Sequence, residues 1–258
     1  MTTAVHAEWL KLRTAPGTGW LLAALIAVTA ALSAMADAAA RCPAGGCQID
    51  PVKTSLTGIY LGQAVVVVLA VTAISNEYST GMIRVTFTAM PGRTVVLAAK
   101  AVVIAGLVLT AGAVAVLGSV LAGRLILPGH GFTAGRGYLL LSPAAGPALR
   151  ASIGSVLYLA LIALLSLGVA AAMRDTAAAI GSVLGLLYVA PIIAAMLGRS
   201  GASRQLQQIA PMTAGLAIQA TTGLRSLPVS PWAGLGVLAA WAAAALLAGS
   251  LLLHLRDA

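Results

Sequence analysis

Residues 151–173 read ASIGSVLYLALIALLSLGVAAAM, and after Arg174-Asp175-Thr176 the chain continues AAAIGSVLGLLYVAPIIAAML over 177–197. Neither stretch holds a charged side chain. Each is long enough to cross a bilayer core as a helix, which takes about 20 mostly apolar residues. The Arg174-Asp175 pair between them sits where a chain turns back among the headgroups. A backbone in lipid must satisfy its own hydrogen bonds, so two such runs in succession predict an all-α membrane protein.

Outward from this pair, four more apolar runs follow the same rule. The first extends from Gly19 to Ala36, the second from Leu56 to Ser75, and the third from Val95 to Gly123 with Lys100 in its first turns. The sixth runs from Trp232 to Leu255, just before Arg256-Asp257-Ala258. Six spans result, in a single transmembrane domain over residues 1–258. A cleaved signal peptide is the rival reading of the first run, because Lys11 and Arg13 precede it and Ala34-Met35-Ala36 follows. The run is longer than a usual signal core, and five more spans follow it, which favours a retained helix.

Composition agrees with this class. The chain is 60% hydrophobic and 8% charged, with a mean hydropathy of +1.01, whereas soluble domains carry roughly 25% charged residues. Aromatics are only 4%, so small residues and close helix packing replace bulky cores. The net charge of +9 is dispersed between the apolar runs, near headgroups, and not clustered as a nucleic-acid surface would be. No nucleic-acid partner is expected.

Residues Val5 to Leu12 read as a short helix lying in the membrane interface. Val5, Trp9 and Leu12 share one face, Trp9 sits at headgroup depth, and His6, Glu8, Lys11 and Arg13 supply the polar positions. A frayed tail is the alternative. Three connections are long: Asn76 to Thr94, Arg124 to Arg150 with Pro128-Gly129 and Ser142-Pro143 as breakers, and Arg199 to Pro231. The middle of the last, Leu206 to Leu224, is semi-apolar and suits short helices dipping into the membrane or lying on it. Cys42 and Cys47 flank the sequence Pro-Ala-Gly-Gly between the first two spans. A local disulfide fits if that loop faces an oxidising compartment; two idle thiols are the other reading. Alternating the loops places seven basic residues on one side and eight on the other, so positive-inside counting does not orient the chain.

Enzyme chemistry finds no foothold. No His-Glu-x-x-His, Gly-x-Ser-x-Gly or Gly-Lys phosphate loop is present, and His6, His130 and His254 lie in separate segments. No catalytic residue, cofactor site or metal site is expected. Lys100 reads as a side chain that snorkels to the interface. Gln63 and Gln219 read as interhelical amides or as substrate contacts. Gly58-x-x-x-Gly62 and Gly181-x-x-x-Gly185 present small residues for close helix approach, within one chain or across a dimer.

After the second span comes Glu77-Tyr78-Ser79-Thr80-Gly81-Met82-Ile83-Arg84, then Pro91-Gly92-Arg93 and Lys100. Near the start stands Glu8-Trp9-Leu10-Lys11-Leu12-Arg13-Thr14, and Arg174-Asp175-Thr176-Ala177 and Arg256-Asp257-Ala258 follow later. In their order and spacing on six spans these motifs resemble the permease subunits of the type-2 ATP-binding-cassette (ABC) transporter family, particularly the short actinobacterial ones, nearly end to end. The basic segment Arg124 to Arg150 departs from the pattern of an external loop. The resemblance implies a permease in the bacterial cell membrane with cytoplasmic termini. It implies pairing with a second permease subunit, as homo- or heterodimer, and with separate ATP-binding subunits that hydrolyse ATP. The segment Asn76 to Arg93 would couple to those subunits through Glu77, Tyr78, Gly81, Arg84, Pro91 and Arg93. The cargo, most often exported in that family, would be hydrophobic or amphipathic: a small molecule, peptide or lipid-like compound. A scaffold or sensor that moves nothing, and an ion-coupled secondary transporter, are the rival classes.

Overall fold

The computed structural model describes residues 2–42, 49–79, 93–132, 146–198 and 200–256, without the side chains of Thr2, Pro16, Tyr78, Ser79, Arg93, His254 and Arg256. Among the described residues every regular element is helical. Six helices are long and apolar enough to cross a membrane: Gly17–Ala39, Pro51–Glu77, Thr94–His130, Gly146–Met173, Thr176–Met196 and Pro231–Leu253. All six match the expected runs.

The chain begins with α1 (Thr2–Thr14), separate from the first span α2 (Pro16–Ala39). Pro16 at the first position of α2 lacks an N–H that the new helix would leave unpaired anyway. The second span is made of α3 (Pro51–Ser55) and α4 (Ile59–Ser79), and the third is α5 (Arg93–Ile126). At 34 residues, α5 is about 50 Å long and outreaches the hydrocarbon layer. The fourth and fifth spans are α6 (Gly146–Met173) and α7 (Thr176–Met196). The turn between them is made by Arg174 in the left-handed region (φ 59°) and by Asp175, whose carboxylate accepts the Ala178 amide at 2.7 Å. That bond caps the N-terminus of α7.

The fourth span is the centre of the bundle. It packs against the second, third, fifth and sixth, and 61% of its most apolar stretch is buried, against 17% for the first span and 22% for the fifth and sixth. Small residues set the crossings. A Cβ on Gly168 would lie 2.4 Å from the Ala245 carbonyl carbon, so the fourth and sixth spans touch backbone to backbone there. A Cβ on Gly58 would lie 1.9 Å from the Thr29 carbonyl oxygen, and one on Gly62 would lie 2.2 Å from Thr29 Oγ1. The Gly58-x-x-x-Gly62 motif therefore packs inside the chain, against the first span. Gly181 and Gly185 have no neighbour within 4 Å of such a Cβ, so the other motif faces outward.

At the end of the bundle opposite α1, the connection between the last two spans folds back over the spans. It contains α8 (Gly201–Ile209), α9 (Pro211–Leu216) and two short 3-10 turns, followed by α10 (Pro231–Arg256), the sixth span. Residues 214–220 are all buried, so this segment enters the bundle as the semi-apolar pattern suggests. Asp50 latches it: the carboxylate accepts the Thr221 amide at 2.5 Å, the Thr221 hydroxyl at 2.7 Å and the Thr222 amide at 3.0 Å. Arg150 Nη2 adds a bond to the Ala220 carbonyl at 2.5 Å. On the same end Cys42 is disulfide-bonded. Cys47, the chain's other cysteine, lies outside the described residues.

Candidate functional site

Four charged side chains that are far apart in sequence meet at the α1 end of the bundle. Glu8 and Lys11 are three residues apart on α1 and so share a face. Glu77 stands at the end of the second span and Lys100 about 10 Å into α5 from Arg93, at 1.5 Å per residue. Lys100 Nζ lies 2.5 Å from Glu8 Oε2 and 2.7 Å from Glu77 Oε1. Lys11 Nζ lies 2.9 Å from Glu8 Oε1 and 3.1 Å from Glu77 Oε1. Each ammonium touches both carboxylates, and the four formal charges sum to zero.

Three members are withdrawn from solvent. Glu8 is 1% exposed, Lys100 2% and Glu77 7%; the Lys11 side chain keeps 32%. Burial of that side chain works against its charge, but hydrogen bonds and attraction from Glu8 and Glu77 outweigh it and raise the Lys11 pKa above its ordinary value. Glu77 Oε2 is buried and accepts no hydrogen bond. A cleft of about 600 Å³ opens beside the cluster, between α1 and the first three spans.

One expectation is corrected here. Lys100 does not snorkel: its ammonium turns inward to two carboxylates that compensate its desolvation. The buried stripe of α1 is Ala4, Glu8 and Leu12, while Trp9 is 41% exposed, so the helix turns its acid toward the bundle and leaves Trp9 facing outward. Spacing along one helix shows which residues share a side, but a partner 92 residues away decides which side turns inward.

Of the other expected site residues, Arg13 is exposed and no hydrogen bond joins it to the cluster. Gly81, Arg84 and Pro91 lie outside the described residues, as do the side chains of Tyr78 and Arg93; Tyr78 lies in the last turn of α4 and Arg93 opens α5. The structure therefore unites Glu8, Lys11 and Glu77 from the expected set and adds Lys100.

Two further buried polar groups lie within the spans. Tyr158 donates its hydroxyl to Gln63 Oε1, and Gln63 Nε2 donates to Met212 Sδ at 3.3 Å. The Gln63 amide thus joins the second and fourth spans to the folded-back segment. Gln219 Nε2 similarly reaches Ser155 Oγ at 3.3 Å. Asp37, fully buried near the end of the first span, accepts the Ser55 hydroxyl at 3.0 Å, and its Oδ2 has no partner. Sequence reasoning passed over Asp37 because it falls one residue beyond the expected end of the first run. Among the described residues no group of three His, Cys, Asp or Glu side chains is placed to hold a metal.

No protein-family model matches the chain, and none of the curated proteins matches it.

Proposed function

We propose that the chain is the transmembrane permease subunit of an ABC transporter of the type-2 family, an exporter of a hydrophobic or amphipathic cargo, powered by a separate ATP-binding subunit. The observation that carries this reading is the buried Glu8–Lys11–Glu77–Lys100 cluster. It binds three elements at one end of the bundle into a single charge-neutral joint: α1, the end of the second span and the start of the third. The segment Asn76 to Arg93, which joins those two spans, is the coupling segment in this reading. A push delivered there reaches Glu77 and Lys100 at once, and through Glu8 and Lys11 it moves α1 with them. Glu77 then braces the coupling segment from within, as its burial requires, instead of touching the partner itself.

The opposite end supports an orientation for this reading. The disulfide of Cys42 belongs in an oxidising compartment, so the end that carries it faces outward, and α1 with the coupling segment faces the cytoplasm. The partners in this reading are the ATP-binding subunit, a second permease copy or homologue, and bilayer lipid.

The test is co-purification of the tagged chain with an ATP-binding subunit, with ATPase and transport assayed in the same vesicles. Glu77→Ala is expected to leave ATP hydrolysis in the partner and to lower transport at least tenfold. Full transport by a folded Glu77→Ala variant would remove the coupling role.

A second reading has one observation in its favour. Asp37 is a buried carboxyl inside a span, with one oxygen unpartnered, and such groups commonly serve ion-coupled transporters. Transport that survives ATP depletion and stops on dissipation of the ion gradient would select this reading.

A further inference from the structure

We propose that Asp37 is a proton-binding site: its carboxyl is the neutral acid at neutral pH, and the bound proton joins the first span to α3. Asp37 is fully buried, two residues before the end of α2. Its Oδ1 lies 3.0 Å from Ser55 Oγ, and Ser55 Oγ lies 3.0 Å from the Pro51 carbonyl oxygen. A hydroxyl carries one proton, so Ser55 by itself fills one of these two contacts. A proton on Asp37 fills the other: the acid donates to Ser55, and Ser55 donates to Pro51. Oδ2, which has no partner, is then an uncharged carbonyl oxygen. Burying that atom unpaired costs far less than burying an unpaired carboxylate.

Nothing packed around Asp37 offsets a charge. The first span meets α3, the end of α5 and the short turn Leu127–His130 here. A Cβ on Gly123 would lie 2.1 Å from Ser55 Oγ and 3.1 Å from Asp37 Oδ2, so the third span closes directly over the pair. The charged groups on these elements are engaged elsewhere. Arg41, Lys53 and Arg124 are exposed, Asp50 accepts from Thr221 and Thr222, and Arg150 reaches the Ala220 carbonyl. Neither these nor His130 bonds to Asp37, whose partner is Ser55. An isolated carboxyl in such a place takes up a proton instead of staying charged. A divalent metal ion would demand several further oxygen ligands, and with Asp37 and Ser55 both fully buried a proton is the ligand small enough to enter. This assignment holds whichever source of energy drives transport.

The experiment is infrared spectroscopy of the purified full chain in lipid nanodiscs at neutral pH. The parent is expected to show the carbonyl stretch of a protonated carboxylic acid, shifted by carbon-13 at the aspartate carboxyls and lost in Asp37→Asn. Ser55→Ala removes the acceptor of the acid's proton and is expected to move that band to higher wavenumber. Absence of the band in the parent, its survival in Asp37→Asn, or an unmoved band in Ser55→Ala overturns the proposal. The isotope shift is read on the parent alone, so a variant that fails to fold leaves the claim open to refutation. Asp37→Asn keeps an N–H donor toward Ser55 and is expected to unfold at the parental temperature; a large fall would show that the fold requires the charge, and would also overturn the proposal. The measurement uses neither an ATP-binding partner nor an ion gradient. Its failure therefore leaves both transport readings standing, and failure of either reading leaves the proton site testable.

Discussion

Removing one partner from a buried ion pair leaves the other charged in a medium that solvates it poorly, at a cost of about 3–5 kcal/mol. Lys100→Met removes the cation that both buried carboxylates share, and it is predicted to destabilise the chain by about that much. A lowered midpoint in detergent thermal unfolding would show it, and an unchanged midpoint would mean that the cluster contributes nothing to the fold. Lys11→Met should cost far less, under about 1 kcal/mol, because Lys11 is partly exposed and water screens its pairs. The sign of its pH dependence is also set. With the folded-state pKa raised, the stabilisation from Lys11 is full below the ordinary lysine value and is lost only as pH rises through the folded value. Lys11 therefore contributes no slope to stability between pH 6 and 9. Stability of the parent followed upward from pH 9 checks this: a fall as pH passes above the ordinary lysine value, absent in Lys11→Met, is expected, and a parent without that fall would contradict the ion-pair geometry. Glu8, Lys11, Glu77 and Lys100 all stand out in the sequence as polar residues near apolar runs. Their meeting was not legible, because periodicity reports faces of one helix and carries no information on contacts 66–92 residues apart.

At the scale of elements, the spans were readable because lipid enforces length and polarity, and charged residues mark the ends. The helix crossings were only half readable. Two Gly-x-x-x-Gly patterns look alike in sequence, yet Gly58 and Gly62 lie against Thr29 while Gly181 and Gly185 meet open space. Only the packing partner separates them. Gly62→Leu is accordingly predicted to destabilise by about 3 kcal/mol, the upper end of ordinary overpacking, since the buried Thr29 side chain and Leu25 must give way. Gly181→Ala should be neutral or slightly stabilising, because alanine favours helix. Thermal unfolding of both variants in one detergent checks the contrast; equal effects would refute the crossing. The folded-back segment depends on Asp50, which accepts three hydrogen bonds from Thr221 and Thr222. Asp50→Ala should release it, seen as faster protease cleavage within residues 199–231, with the spans intact. Parent-like cleavage would show that burial alone holds the segment.

At the scale of the whole molecule, two ends of unlike chemistry face each other across the spans. One is an ion-paired joint between α1 and the ends of two helices. The other is a covered end with a disulfide and a latched segment. Charge counting did not orient the chain, since basic residues divide nearly evenly between the two sides; in the proposed reading the oxidised Cys42 is what assigns the outer end. The central claim is that the joint transmits work from an ATP-binding subunit to the spans. Its most direct test is cargo transport and ATP hydrolysis measured together in vesicles that contain the reconstituted complex, with the parent chain and with Glu77→Gln, a change that keeps the side chain's size and removes its charge. The account predicts continued hydrolysis with transport reduced at least tenfold and the complex still assembled. Transport and hydrolysis that remain in their parental ratio would contradict it.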